Sequence, residues 1–286
     1  MNFELKKFVN KLKEKEILLP DFQRGFVWKD VEKQSRLAAS VLTRLPLGTL
    51  LLLESSNPQE YKCRVIGTNN SVEDDELDNL KEVKFLLDGQ QRITALTAYI
   101  TGKEVVNQEY KKVPIKISFN PIDETFEVYN PAIGKDIRMI DDIAPIFKPG
   151  FDSFNFSLDY ANKNNINPSE VNKTITKLQA LKNNNIGVIE LEASLDIETV
   201  TDIFIRTNSK GTVLSQADFA MSKISSNEKY GGDVIRKTID YFCHLIQRPI
   251  DLELIKNNDN EFSKLEEFNR IKWVATTNEE IYTPLY

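Results

Sequence analysis

A single histidine, His244, stands among the 286 residues, and that scarcity removes whole classes of chemistry. A histidine-metal nuclease, a two-histidine zinc hydrolase and most zinc centres need more imidazoles than this chain owns. His244 lies in the apolar stretch Tyr241-Phe242-Cys243-His244-Leu245-Ile246, which predicts a partly buried structural residue. Cysteine is almost as rare. Cys63 and Cys243 are far apart in sequence and show no metal or redox spacing, so both read as free thiols in a reducing compartment. Long hydrophobic runs are missing too: none approaches the ~18 residues that span a bilayer, so no membrane partner is expected. The start, Met1-Asn2-Phe3-Glu4-Leu5-Lys6-Lys7, has no apolar block of the secretory kind. Together these absences predict a cytoplasmic protein. No Walker A loop is present, because no glycine-rich stretch leads into Lys-Ser or Lys-Thr. Nor is there a basic excess. At a net charge of -6, any contact with nucleic acid must use a local basic site and be salt-sensitive. The acidic run Glu73-Asp74-Asp75-Glu76-Leu77-Asp78 lacks the alternating ligands and turn glycine of a calcium loop, and reads as a solvated insertion.

What is present is ordinary globular material, 41% hydrophobic and 28% charged, in a chain long enough for one large domain or two smaller ones. Residues 3–13 have helical spacing in Phe3, Phe8, Val9 and Leu12, and Ile17-Leu18-Leu19 reads as a strand ended by Pro20. Asp30 to Leu45 predicts an amphipathic helix stopped by Pro46. Apolar runs at Thr49–Leu53 and Val83–Leu87 predict buried strands. Gln90 to Ile100 carries Ile93, Leu96 and Ile100 on one helical face, with Gly102 beyond its end. Val113–Phe119 and Thr125–Tyr129 look like a strand pair around Asn120-Pro121-Ile122-Asp123-Glu124. Residues 130–168 read as a connection with short elements. A helix then follows, capped by Asn167, with Pro168 at its first position and Glu170 where a capping-box carboxylate belongs. Ile186–Leu191 predicts a strand, Asp196–Arg206 a helix, and Ser215-Gln216-Ala217-Asp218 a capping box opening another. Apolar and aromatic residues continue to Tyr286 without a polar tail, so the chain is expected to be the front piece of a longer protein.

Three segments carry chemistry. In Leu86-Leu87-Asp88-Gly89-Gln90-Gln91-Arg92-Ile93-Thr94-Ala95-Leu96 a buried strand delivers a tight Asp-Gly turn into a helix. Helix N-termini carry partial positive charge and suit a phosphate, and glycine lets a ligand approach the backbone. Arg92 can fork onto phosphate oxygens, Asp88 can hold magnesium or position a water, and Gln90 or Gln91 can orient a water or read a base. The plain alternative makes Asp88 an N-cap and the two glutamines exposed amides. In Leu19-Pro20-Asp21-Phe22-Gln23-Arg24-Gly25-Phe26-Val27-Trp28, aromatics alternate with Gln and Arg, a composition suited to stacking on bases and gripping phosphate or base edges. Its plain alternative buries Phe22, Phe26 and Trp28 and ion-pairs Arg24 internally. Third, Phe204-Ile205-Arg206-Thr207-Asn208-Ser209-Lys210-Gly211-Thr212 places a cationic, hydroxyl-rich turn between two helices, either closing over a nucleotide or merely joining them.

Taken in this order, the segments resemble the N-terminal domain family of GmrSD-type (type IV) restriction enzymes, whose core is similar to the ParB/sulfiredoxin fold. The anchors are Pro20 with Gln23-Arg24 and Trp28, Pro46-Leu47-Gly48 before an apolar strand, Asp88-Gly89-Gln90-Gln91-Arg92, and Asn208-Ser209-Lys210-Gly211 followed by Leu214 and Asp218. The resemblance implies an α+β fold: a ParB-like nucleotide-binding core with a small mixed sheet over 1–130, and a mostly helical region over 131–286 packing on it. It implies NTP binding and hydrolysis at Asp88, Gln90, Gln91 and Arg92, with magnesium on Asp88. The nucleotide contacts it implies are Gly89, Arg92, Thr94, Arg206, Asn208 and Lys210; Ala95 also matches the phosphate-binding pattern. Sensing of modified DNA falls on Gln23, Arg24, Phe26 and Trp28. The implied partners are modified DNA, a nucleotide (GTP, ATP or CTP) and a His-Asn-His-type nuclease domain, C-terminal or separate; a homodimer stays open. With one histidine, the nuclease centre is expected outside this chain, and sulfiredoxin chemistry is disfavoured because Gln90 takes the position of the reactive cysteine. Two competing readings are a non-catalytic DNA-binding module and a ParB-like metal-dependent nuclease.

Overall fold

The computed structural model describes residues 2–277 except 22, 24–25, 27–30, 43–47, 56–57, 59–61, 69–71, 73, 81, 108–110, 209–215, 226 and 228–229. Its strands are β1 (Asn2–Glu4), β2 (Ile17–Pro20), β3 (Thr49–Ser55), β4 (Cys63–Arg64), β5 (Val83–Asp88), β6 (Val105–Val106), β7 (Lys112–Val113), β8 (Ile117–Asn120), β9 (Thr125–Val128) and β10 (Asn185–Leu191). The first helices are α1 (Leu5–Lys13), α2 (Val31–Leu42), α3 (Asp74–Leu77), α4 (Gln90–Thr101), α5 (Ser153–Asn164) and α6 (Pro168–Gln179). After them come α7 (Ile197–Asn208), α8 (Gln216–Ser225), α9 (Gly232–Gln247), α10 (Leu252–Asn258), α11 (Asn260–Ser263) and α12 (Glu266–Ile271).

Six strands form one mixed sheet in the order β1-β10-β3-β5-β2-β4. The β10–β3 and β2–β5 pairs are parallel and the others antiparallel. The central strands are continuous apolar runs because both faces of the sheet are covered. On one face Ile17, Leu50, Leu52, Leu86, Ile186 and Val188 pack against Leu5, Phe8 and Leu12 of α1 and Ile93 and Leu96 of α4. On the other, Leu18, Leu51, Leu53, Phe85 and Leu87 meet Leu77 of α3 and Val200 and Phe204 of α7. Each such fully buried side chain contributes roughly 1.5–3 kcal/mol.

β10 sits between β1 and β3, so the chain beyond residue 130 lends a strand to the sheet. The N-terminal expectation needs correction. Residues 2–4 are extended, not helical, because β10 has an edge that they pair, Phe3 opposite Ile186. The helix begins only at Leu5 and buries Leu5, Phe8, Val9 and Leu12, one face at helical spacing. The expected strand over 113–119 is two strands: Val113 pairs with β6, whereas Ile117–Asn120 pairs with β9. Pro114 lies between them and lacks the N–H that would continue a ladder. The β8–β9 turn is as expected, closed by the Asn120 carboxamide, whose oxygen accepts from the Ile122 N–H at 2.9 Å. Residues 130–168 also hold a three-turn helix, α5, capped by Asp152. Its buried face is only Ser157, Tyr160 and Ala161, while Phe154 stays exposed, so apolar periodicity does not mark it.

A third apolar cluster joins Tyr241 and Leu245 of α9 to Ile255, Phe262, Phe268 and Ile271. His244 is the structural residue its surroundings predicted, with Nε2 2.9 Å from Asp251 Oδ2, which also accepts from Arg248 Nε at 2.8 Å. Cys63 is buried and Cys243 half-buried, and neither is in a disulfide. In the acidic run Asp75, Glu76 and Asp78 face solvent as expected, Leu77 is buried, and Glu76 pairs with Lys15. Among the described residues no helix is long and apolar enough to cross a membrane, and no three His, Cys, Asp or Glu side chains gather as a metal site.

Candidate functional site

β5 carries the chain through the core and releases it at Asp88. Just before that point the β3–β5 register shifts: Leu52 faces Leu86, but Leu51 faces Asp88, so Leu87 is an extra residue. Such a bulge bends a strand and re-aims the side chain that follows it. Gly89 then turns at φ 96° and starts α4, with the Ile93 N–H donating to its carbonyl at 2.9 Å. At the far end Gly102, at φ 70°, closes α4 as expected. Asp88 is not the N-cap of the plain alternative; Gly89 holds that position and has no side chain to cap with.

Asp88 is bonded to Arg92 instead. Arg92 Nη2 donates to Asp88 Oδ2 and to the Thr49 carbonyl, both at 3.1 Å. The guanidinium thus lies back over the turn, against the first residues of β3. Two glycines make the room. A Cβ on Gly48 would sit 2.1 Å from Arg92 Nη1, and one on Gly89 would sit 3.2 Å from Nη2 and 2.2 Å from Leu50 Cδ2. Gly48 also has a positive φ of 79°, so the glycine answers both demands. The Arg92 and Asp88 side chains remain 22% and 28% exposed, enough for a ligand to reach both. A helix N-terminus, a guanidinium in a glycine cradle and one carboxylate can therefore bind an anion, alone or with a hard cation.

Asp21, Gln23 and Phe26 are each held in place. The Gln23 side chain is 4% exposed, and its Nε2 donates to the Leu86 carbonyl of β5. Arg64 Nη2 donates to the Gln23 carbonyl at 2.7 Å, and Nη1 reaches Asp21 at 3.2 Å. Burial lowers the pKa of Arg64, and the Asp21 carboxylate opposes that shift. Phe26 is in the core and bridges to Asn107. Arg24, Trp28 and Phe22 lie outside the described residues.

Residues 5–225 match the family described as the GmrSD restriction endonuclease, N-terminal domain. The chain belongs to that family. The match runs from α1 to α8 and includes the glycine cradle around Arg92. An uncharacterized protein of Methanocaldococcus jannaschii is 40% identical over 91 residues, 31% of this chain and 15% of that protein. The chain thus matches only a small part of that relative's length.

The other residues that the GmrSD resemblance singled out fall in different places. Gln91 is half-buried on the first turn of α4, whereas Gln90 is buried. Thr94 is 2% exposed, its Oγ1 has no hydrogen-bond partner, and its methyl lies beneath Gly67. Ala95 is wholly buried. Arg206 is exposed on the last turn of α7, in the layer covering the opposite face of the sheet from α4. Asn208 ends α7; its side chain and all of Lys210 are outside the described residues. Sequence reasoning did not assign Gly48, Thr49 and Arg64 to the site. Gly48 had a signal, since Pro46-Leu47-Gly48 precedes an apolar strand, but Arg64 had none. Because Arg64 and Asp21 form a shielded pair, Arg64→Ala should cost about 3–5 kcal/mol by leaving a buried carboxylate unpaired. Urea unfolding measures it. A loss below about 1 kcal/mol, the level of an exposed pair, would remove Arg64 from this framework.

Proposed function

We propose that this chain is the NTP-binding, NTP-hydrolysing sensor of a restriction protein directed at modified DNA. The observation that carries the reading is the Arg92 guanidinium lying at the start of α4 in the space that Gly48 and Gly89 leave, bonded to Asp88 and the Thr49 carbonyl. The Asp88–Arg92 pair is a neutral, partly exposed couple that a nucleotide can split. Arg92 would turn its fork to phosphate oxygens while the α4 N-terminus faces the same charge. Gln91, half-buried beside them, would place the attacking water. Phosphoryl transfer needs positioning and charge stabilisation more than covalent help, so a chain without a second imidazole can perform it. A lone hard carboxylate fits magnesium shared with phosphates better than an all-protein cage, so Asp88 would hold it. When bound, magnesium would neutralise charge on the phosphate oxygens.

The mixed sheet with its strand–turn–helix supports a ParB/sulfiredoxin-like core over residues 1–130, with 131–286 packing on it and lending β10. The one histidine is engaged with Asp251, which supports placing DNA cleavage in a His-Asn-His-type nuclease domain beyond this chain, C-terminal or separate. Calorimetric titration with GTP, ATP and CTP, each with magnesium, tests the proposal alongside phosphate release. At least one nucleotide should bind and be hydrolysed. Folded protein that binds none of the three would end this reading, and nucleotide-indifferent binding to modified duplex would leave a DNA-binding module.

A further inference from the structure

β2 and β5 run parallel, with Ile17 opposite Lys84 and Leu18 opposite Phe85. The Lys84 N–H donates to the Glu16 carbonyl at 2.8 Å. In a parallel ladder a residue bonds the neighbours on either side of its partner. That bond therefore sets the phase, and the rung reaching the Leu86 carbonyl falls on the N–H of residue 20. Residue 20 is proline and has none. The Leu86 carbonyl is nevertheless satisfied: Gln23, three residues on, donates its Nε2. Only the amide nitrogen can serve a carbonyl, so the chemistry fixes the orientation of this side chain. Gln23 is held for the task at both ends of its backbone unit. Its N–H donates to the Pro20 carbonyl at 3.1 Å, and its own carbonyl accepts from Arg64.

Leu86 is the last regularly paired residue before the bulge at Leu87 and the turn at Asp88. On the β2 side, then, the carbonyl at the end of β5 is met by the Gln23 side chain and not by a backbone N–H. A side-chain rung can be broken or restored without unzipping the sheet. We propose that Gln23 is a positioning residue for the Asp88–Arg92 turn, closing the rung that Pro20 leaves open. This rests on the reading that the turn binds nucleotide. Loss of the rung is then transmitted through the Leu86 carbonyl to Asp88.

Four proteins test it: wild type, Gln23→Leu, Pro20→Ala, and the double variant, which regains a backbone N–H at position 20. Hydrogen–deuterium exchange over residues 83–96, without nucleotide, is read beside titrations with the magnesium complexes of GTP, ATP and CTP. Losing the donor to a buried carbonyl should speed exchange at 86–92 about tenfold to a hundredfold and weaken nucleotide binding by a similar factor, leaving exchange in α9 unchanged. The double variant should return both readings most of the way to wild type. Unchanged exchange at 86–92 in Gln23→Leu, or no rescue in the double variant, would overturn the proposal. If Gln23→Leu alone does not fold, the double variant decides: folded with wild-type exchange supports the rung, unfolded refutes it. Should the wild type bind no nucleotide, the exchange arm still reads the rung, so failure of the nucleotide reading and failure of this one are separable.

Discussion

Arg92→Ala is expected to abolish nucleotide binding, weakening it at least about a hundredfold, while the protein stays folded. The affinity loss follows from removing a charge-assisted fork; two such bonds are together worth roughly 3–5 kcal/mol. Folding should survive because Arg92 and Asp88 are partly exposed, and pairs of that kind contribute only about 0–1 kcal/mol. Arg92→Lys keeps the charge but lacks the planar fork that can meet two phosphate oxygens at once, so an intermediate affinity is expected. Titration with magnesium nucleotides, beside a melting curve, separates the effects. Wild-type affinity in Arg92→Ala would sink the proposed site.

The second large effect concerns the cradle, where two glycines that look alike in sequence should fail in different ways. Gly89→Ala puts a methyl 2.2 Å from Leu50 Cδ2 at φ 96°, and Leu50 is only 1% exposed. Backbone strain of about 1–2 kcal/mol adds to overpacking of about 1–3 kcal/mol, so a loss of roughly 2–5 kcal/mol is expected. Gly48→Ala meets only the end of the flexible Arg92 side chain. It should cost little beyond strain of about 1–2 kcal/mol, yet displace the guanidinium and lose nucleotide affinity as Arg92→Ala does. Gly150 supplies the comparison, with φ 78° and nothing within 4 Å; its alanine variant should show the strain alone. Denaturant unfolding of the three variants tests the ranking. Equal losses at Gly89 and Gly150 would mean that the Leu50 contact carries no cost.

Much of the site was legible without coordinates because its signals are local. An apolar run, an Asp-Gly pair, helical spacing through Ile93 and Leu96, and Gly102 beyond the end all act within a few residues, and β5, the turn and α4 lie where they predict. Asn167 likewise caps α6 through its own side chain, accepting from the Ser169 N–H at 2.9 Å. The ordered anchors reached further and identified the family. The arrangements they left undecided depend on partners distant in the chain. Phe3 continues a helical pattern, yet pairs with Ile186 because β10 presents an open edge. Gln23 has the composition of a base reader, yet its amide is turned inward because Pro20 leaves the Leu86 carbonyl without a backbone donor. Gly48 and Gly89 both come up to the Arg92 guanidinium only because β3 and β5 pair antiparallel with a bulge between them. Caps, breakers and periodicity are short-range energies written in neighbouring residues. Register, bulges and buried polar rungs are settled when separate segments compete for the same hydrogen bonds and the same space, so tertiary packing alone decided them.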